Sequence, residues 1–212
     1  DSVTTIGSGA FGSNNLTSVV IPDSVTTIGE EAFRNNELTS VVIPDGVTTI
    51  GEEAFRNNEL TSVVIPDSVT SIGEYAFLYN YLSGIVIPDS VTSIGEGAFG
   101  NNLLKSVFIP DSVTSIACES FKNNPLLETI SIPENASFDL SVFPRGVEIL
   151  VRLANGEVES IVNNGIIDRE CGSDVPFEDN ELVIQEGVTF VGDSAFERSN
   201  LTSVALPESM VS

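Results

Sequence analysis

Residues 38–59 read LTSVVIPDGVTTIGEEAFRNNE, from Leu38 to Glu59, and this stretch decides the fold. Leu38, Val41 and Ile43 carry an L-x-x-L-x-L spacing, so the alternation of a strand sends Val41 and Ile43 inward and Ser40 and Val42 outward. Pro44 ends the strand, and Asp45-Gly46 suits a turn. A second extended piece, Val47 to Ile50, turns Val47 and Ile50 inward. Gly51 allows a tight corner, and Glu52 to Arg56 is predicted as a short helical or 3₁₀ turn that buries Ala54 and Phe55.

The same unit recurs along the chain. Phe11, Phe33, Phe55, Phe77, Phe99 and Phe121 are each 22 residues apart, as are Pro22, Pro44, Pro66, Pro88 and Pro110, with Pro133 one residue late. Self-similarity at this length predicts a solenoid, each unit one turn of a coil stacked on the last. One turn buries too little apolar surface to offset the entropy of ordering its residues, so neighbours must supply the remainder through interlocking cores and parallel strand hydrogen bonds. Asn14, Asn36, Asn58, Asn80, Asn102 and Asn124 follow the phenylalanines by three residues. Amides beside a buried aromatic column need partners, which predicts an internal ladder bonded to the backbone of adjacent turns.

The run AFRNNELTSVVIPDGVTTIGEEAF resembles the BspA-like (Treponema-type) leucine-rich repeat family. Its hallmarks are the Ala-Phe pair, the L-x-S-V-x-I-P strand and S-V-T-x-I-G, which recur from Asp1 to Phe138 and again from Leu182 to Pro207. Members usually have cysteine where this chain has Asn14 to Asn124, and their repeat is commonly a residue longer. The resemblance implies a β-rich solenoid with parallel strands on a concave face and short extended and helical segments on the convex side. It also implies a surface-exposed or secreted adhesion and interaction module.

Three segments are expected: regular repeats over 1–138, an irregular insertion over 139–180 within the same solenoid, and a resumed, truncated repeat over 181–212. In the irregular part, Val142 to Val147 echoes the strand-proline-turn portion of a unit, as a shortened turn lacking the Ala-Phe segment would. The runs VEILVRL and EVESIV around Asn155-Gly156 predict a hairpin. Cys118 replaces a glutamate of the repeat and Cys171 lies in the irregular segment. They are either a disulfide pinning that segment to the sixth turn, as an oxidising exterior permits, or two separate thiols. The chain opens and stops in mid-repeat, which reads as a piece of something longer.

Acidic residues number 31 against 8 basic, for a net charge of −23. Such a surface repels nucleic acid and anionic membrane and favours cations or basic surfaces. No apolar run approaches a membrane-spanning length. Histidine is absent, which removes His-activated nucleophiles and His-containing metal sites. Without a phosphate loop or a matched carboxylate pair either, no enzyme and no cofactor are expected.

Binding residues are sought among the outward positions. Val20, Val42, Val64, Val86 and Phe108 form one apolar column, and exposed apolar residues in a row suggest an interaction face, although β-branched residues also simply favour strands. The fourth turn holds all three tyrosines, Tyr75, Tyr79 and Tyr81, beside Leu78. That is either a contact patch or packing between turns. Asp23, Asp45, Asp67, Asp89 and Asp111 make a column that supplies too few oxygens per turn for calcium, so solvated turn residues are expected. Thr26, Thr48, Thr70, Thr92 and Thr114 give a regular hydroxyl array such as ice-binding solenoids present, though the same residues belong to the ordinary repeat. The reading is a non-enzymatic binding or adhesion module at the cell surface or outside it, with an unidentified protein or cell-surface ligand. Its alternatives are a structural spacer with no ligand and, remotely, an ice-binding solenoid.

Overall fold

The computed structural model describes residues 2–138, 143–144, 146–162, 181–183 and 203–205. The regular part is a parallel β-solenoid, with the inward residues of every turn joined in one continuous core. Its most continuous sheet is built from the second extended piece of each unit. Thr5–Ile6, Thr27–Ile28, Thr49–Ile50, Ser71–Ile72, Ser93–Ile94, Ser115–Ile116 and Ser137–Phe138 pair in parallel, hydroxyl residue on hydroxyl residue. The L-x-x-L-x-L strands pair in two separate blocks: Ser40–Val42 with Ser62–Val64, and Ser106–Phe108 with Thr129–Pro133 and then Glu148–Arg152.

Side-chain columns run through the turns. Phe33, Phe55, Phe77, Phe99 and Phe121 are fully buried. From Phe11 to Phe121 the rings stack with centroids 5.3–5.6 Å apart and planes within 11° of parallel. Close backbone approach shapes the corner after each Thr/Ser-Ile strand: a Cβ on Gly51 would lie 2.6 Å from the carbonyl carbon of Gly29. Only glycine admits that approach without a backbone shift.

In place of the expected short helical or 3₁₀ turn, Glu52 to Arg56 forms two separate hydrogen-bonded turns. Ala54 N–H bonds Gly51 O and Arg56 N–H bonds Glu53 O, each three residues back, while Glu53, Phe55 and Asn57 donate to Glu74, Ala76 and Leu78 of the next turn. Glu53 and Asn57 take φ of 53° and 55°, which breaks any helical progression. Inter-turn hydrogen bonds replace the i→i−4 ladder, and they hold the backbone in the left-handed region at Asn57, a residue type that tolerates it, and at Glu53, which does not favour it.

Phe143 corrects the expected shortened turn. It lies 22 residues after Phe121, is buried, and continues the aromatic column at 6.4 Å. The residues around it therefore supply the stacking aromatic position, and the next strand is Glu148–Arg152, offset 19 residues from its partner Thr129–Pro133. The chain then reverses through Asn155-Gly156 into Val158–Val162, which pairs antiparallel with Glu148–Arg152 as the hairpin signal predicts. Glu181–Val183 and Ser203–Ala205 pair in parallel at the same 22-residue offset.

Candidate binding face

The outward strand positions create the largest apolar exposure on the described surface. Val20, Val42, Val64 and Val86 are 93, 77, 74 and 79% exposed, and Phe108 is 57% exposed. Their immediate neighbours Val41, Val63 and Val107 are buried, because alternation in the strand sends successive residues to opposite sides. Val42 and Val64 are direct register partners, so the column is a ridge with one apolar side chain per turn. Between the valines and the Leu38 row lie Ser40, Ser62, Gly84 and Ser106, all exposed and small. Asp23, Asp45, Asp67, Asp89 and Asp111 stand exposed three residues beyond the ridge.

Arg152 closes the far end of this face. Its guanidinium carbon sits 4.1 Å from the centroid of Phe108, and its nitrogens bond Ser131 Oγ at 2.7 Å and Asp111 Oδ1 at 2.8 Å. The side chain thus spans from its own strand across Thr129–Pro133 to the fifth turn, and it covers one face of the last aromatic of the ridge.

The fourth-turn cluster divides. Tyr79 and Tyr81 are exposed, whereas Leu78 is buried and Tyr75 is half-buried. A Cβ added to Gly97 would lie 2.5 Å from Tyr75 Cδ1, and one added to Gly100 would lie 2.9 Å from Leu78 Cδ1. Tyr75 and Leu78 therefore fill space left by two glycines of the fifth turn. The Tyr75 hydroxyl bonds the Glu96 carboxylate, and burial followed by that bond raises its pKa above the ordinary tyrosine value. Leu78 is not available as a contact residue, and Tyr75 presents little. Tyr79 has the Arg56 guanidinium over its ring at 5.9 Å. The sequence signal that separates packing from exposure was present: Gly97 and Gly100 follow Tyr75 and Leu78 by the repeat length of 22.

The asparagines face the core. Asn80 Nδ2 donates to Phe77 O in its own turn at 3.1 Å and to Phe55 O in the preceding turn at 2.9 Å, while its Oδ1 accepts from Leu60 N–H at 3.0 Å. Asn36, Asn58, Asn102 and Asn124 repeat this pattern, all buried. Asn14 bonds only within its own turn.

On the hydroxyl face, Thr26, Thr70, Thr92 and Thr114 each donate to the carbonyl of the corresponding threonine one turn earlier. Those hydroxyls are engaged with backbone. Cys118 is disulfide-bonded, and Cys171 lies outside the described residues. Among the described residues no group of three Cys, Asp or Glu side chains is placed to hold a metal, and no helix is long and apolar enough to cross a membrane.

Comparison with known proteins fits this geometry. The model of the BspA type leucine-rich repeat region matches six copies over residues 4–128 and 177–212. The chain belongs to the BspA-type leucine-rich repeat family. Among solved structures, it resembles the pneumococcal vaccine antigen PcpA at 18% identity and a TM-score of 0.55, over 98% of this chain and 60% of that one. A leucine-rich repeat protein from Eubacterium ventriosum matches at 20% identity and 0.50, over 81% and 48%. A leucine rich cell surface protein from Faecalibacterium prausnitzii is 26% identical, with a TM-score of 0.43, over 72% and 57%. This BspA-type chain spans between about half and two thirds of the length of these solved proteins. No curated protein matches it.

Proposed function

We propose that the chain is a non-enzymatic protein-interaction module of a surface or secreted protein, and that the valine ridge is its contact face. One observation carries this reading: four aliphatic side chains, one per turn from Val20 to Val86, stand in solvent, where each contributes nothing to the core. Exposed apolar rows are costly to solubility and mark interaction sites. The family points the same way, and the F. prausnitzii neighbour is described as a cell surface protein. Adhesion to a cell-surface ligand is the specific form we favour over a passive spacer. A bridge between Cys118 and Cys171, tying the irregular segment to the sixth turn, belongs to the same extracellular picture.

The experiment is capture on immobilised cell-surface extract, comparing the wild type with a Val42→Lys/Val64→Lys variant. Both positions are exposed, so the fold should survive. The proposal expects capture to fall at least tenfold in the variant. Equal capture would return the module to a spacer. Thiol titration of the denatured, unreduced protein should find no free thiol.

A further inference from the structure

We propose that the ridge receives a basic amphipathic α-helix lying along the solenoid axis, a partner class that rests on the contact-face reading above. Three features converge on it. The first is charge. The ridge is flanked by one exposed aspartate per turn, and from the first to the fourth turn this face carries no lysine or arginine. Arg34 and Arg56 are on another edge, held by Glu31 and Glu53. A partner must therefore bring cationic side chains beside its apolar ones. A second copy of this chain would set aspartates against aspartates and is disfavoured.

The second feature is spacing. Val42 and Val64 are register partners on parallel strands, which puts them about 4.8 Å apart, and at that step per turn five ridge residues make a row of about 20 Å. A helix with apolar residues every 3.5 positions advances about 5.2 Å per contact, so it stays within half a step over the row. An extended strand laid along the axis repeats every ~6.7 Å and loses phase after one contact. A polyproline helix repeats every ~9.3 Å and would meet only alternate ridge residues. The third feature is relief. Ser40, Ser62 and Gly84 make a low shelf beside the ridge, and a Cβ on Gly84 would meet nothing within 4 Å. A helix is broad enough to cover ridge, shelf and aspartate row together.

The test uses fluorescence anisotropy with a labelled 14-residue peptide of leucine and lysine in a heptad pattern, at physiological salt. Two control peptides are a scramble of the same composition and a lysine-containing proline-rich sequence. The proposal predicts at least tenfold tighter binding of the patterned peptide than of either control. It predicts at least a tenfold loss with Val42→Ser/Val64→Ser/Val86→Ser, and a weaker salt dependence with Asp45→Asn/Asp67→Asn/Asp89→Asn. Circular dichroism and melting of each variant separate lost binding from lost fold. Equal binding of the scramble, tighter binding of the proline-rich peptide, or indifference to the valine substitutions in a folded variant would overturn it. If the patterned peptide fails while cell-surface capture still depends on Val42 and Val64, the helix falls and the contact face stands. If capture is also indifferent, both fall.

Discussion

The second and third turns and the fourth and fifth share one backbone course but close the same edge differently. In the earlier pair, Glu31, Arg34, Glu53 and Arg56 form an ion-pair chain, with Arg34 between two carboxylates at 3.1 and 2.9 Å and Arg56 on Glu53 at 2.6 Å. In the later pair the same positions hold Tyr75, Leu78, Gly97 and Gly100, and the bulk of the fourth turn lies in the space of the fifth. Partly exposed ion pairs are screened and individually weak, so they tolerate substitution. Buried shape complementarity depends on volume, so its two sides are coupled. The difference teaches that identical repeats can drift only in matched pairs once the side chains leave solvent.

Breaking what both regions share should have the largest effect. Asn80→Ala leaves the Leu60 N–H without its acceptor and removes one of the two asparagine donors from each of the Phe55 and Phe77 carbonyls, and Asn58→Ala does the same one turn earlier. Each should lose about 3 kcal/mol in urea denaturation, since one orphaned buried donor costs about 1–3 kcal/mol and the two lost carbonyl bonds about 0.5–1.5 kcal/mol each, of which relaxation recovers part. The second effect falls on the later region alone. Gly97→Glu restores the glutamate of the earlier turns and should cost about 2 kcal/mol, from the left-handed backbone at φ 57° and the collision with Tyr75. Adding Tyr75→Glu should recover about 1 kcal/mol, and a double-mutant cycle without coupling would refute the matched-pair account.

In the earlier region, Arg34→Gln should change stability by less than about 1 kcal/mol, as partly exposed pairs do. The smallest effect is electrostatic. Burial, then the charges of Glu30 and Glu74, raise the Glu52 carboxyl above its ordinary value. A raised carboxyl favours the folded state in its protonated form, so this contribution is full below the ordinary glutamate pKa and is lost as pH rises through the folded one. Glu52→Gln should therefore raise the melting temperature slightly at pH 7 and not at pH 4, a difference that scanning calorimetry resolves.

Much of this was legible before the structure. The recurring phenylalanine, isoleucine and asparagine positions establish coil, core and stacking direction, because a fixed period leaves each residue type one environment. The turn at Glu52–Arg56 was not legible, since glutamate at Glu53 gives no local sign of a left-handed backbone that only the neighbouring turn's hydrogen bonds impose. For Tyr75 and Leu78 the choice between contact patch and packing stayed open for a related reason: their environment is set by Gly97 and Gly100, a full turn away. Phe143 obeyed the period while the proline beside it suggested a different place in the unit. The exposed ridge was legible from alternation, whereas Arg152 over Phe108 depends on a strand whose offset the period does not predict.

The central claim is that successive coils are locked in register by asparagines that reach from one turn to the backbone of the one before. Native-state hydrogen exchange at the amides of Leu38, Leu60, Leu82 and Leu104 tests it most directly, because each donates to a buried asparagine oxygen of the next turn. These four amides should be among the slowest in the regular turns, and Asn80→Ala should release Leu60 far more than Leu104. Exchange at the rate of an open loop in the wild type, or equal release at both leucines in a folded Asn80→Ala protein, would contradict it.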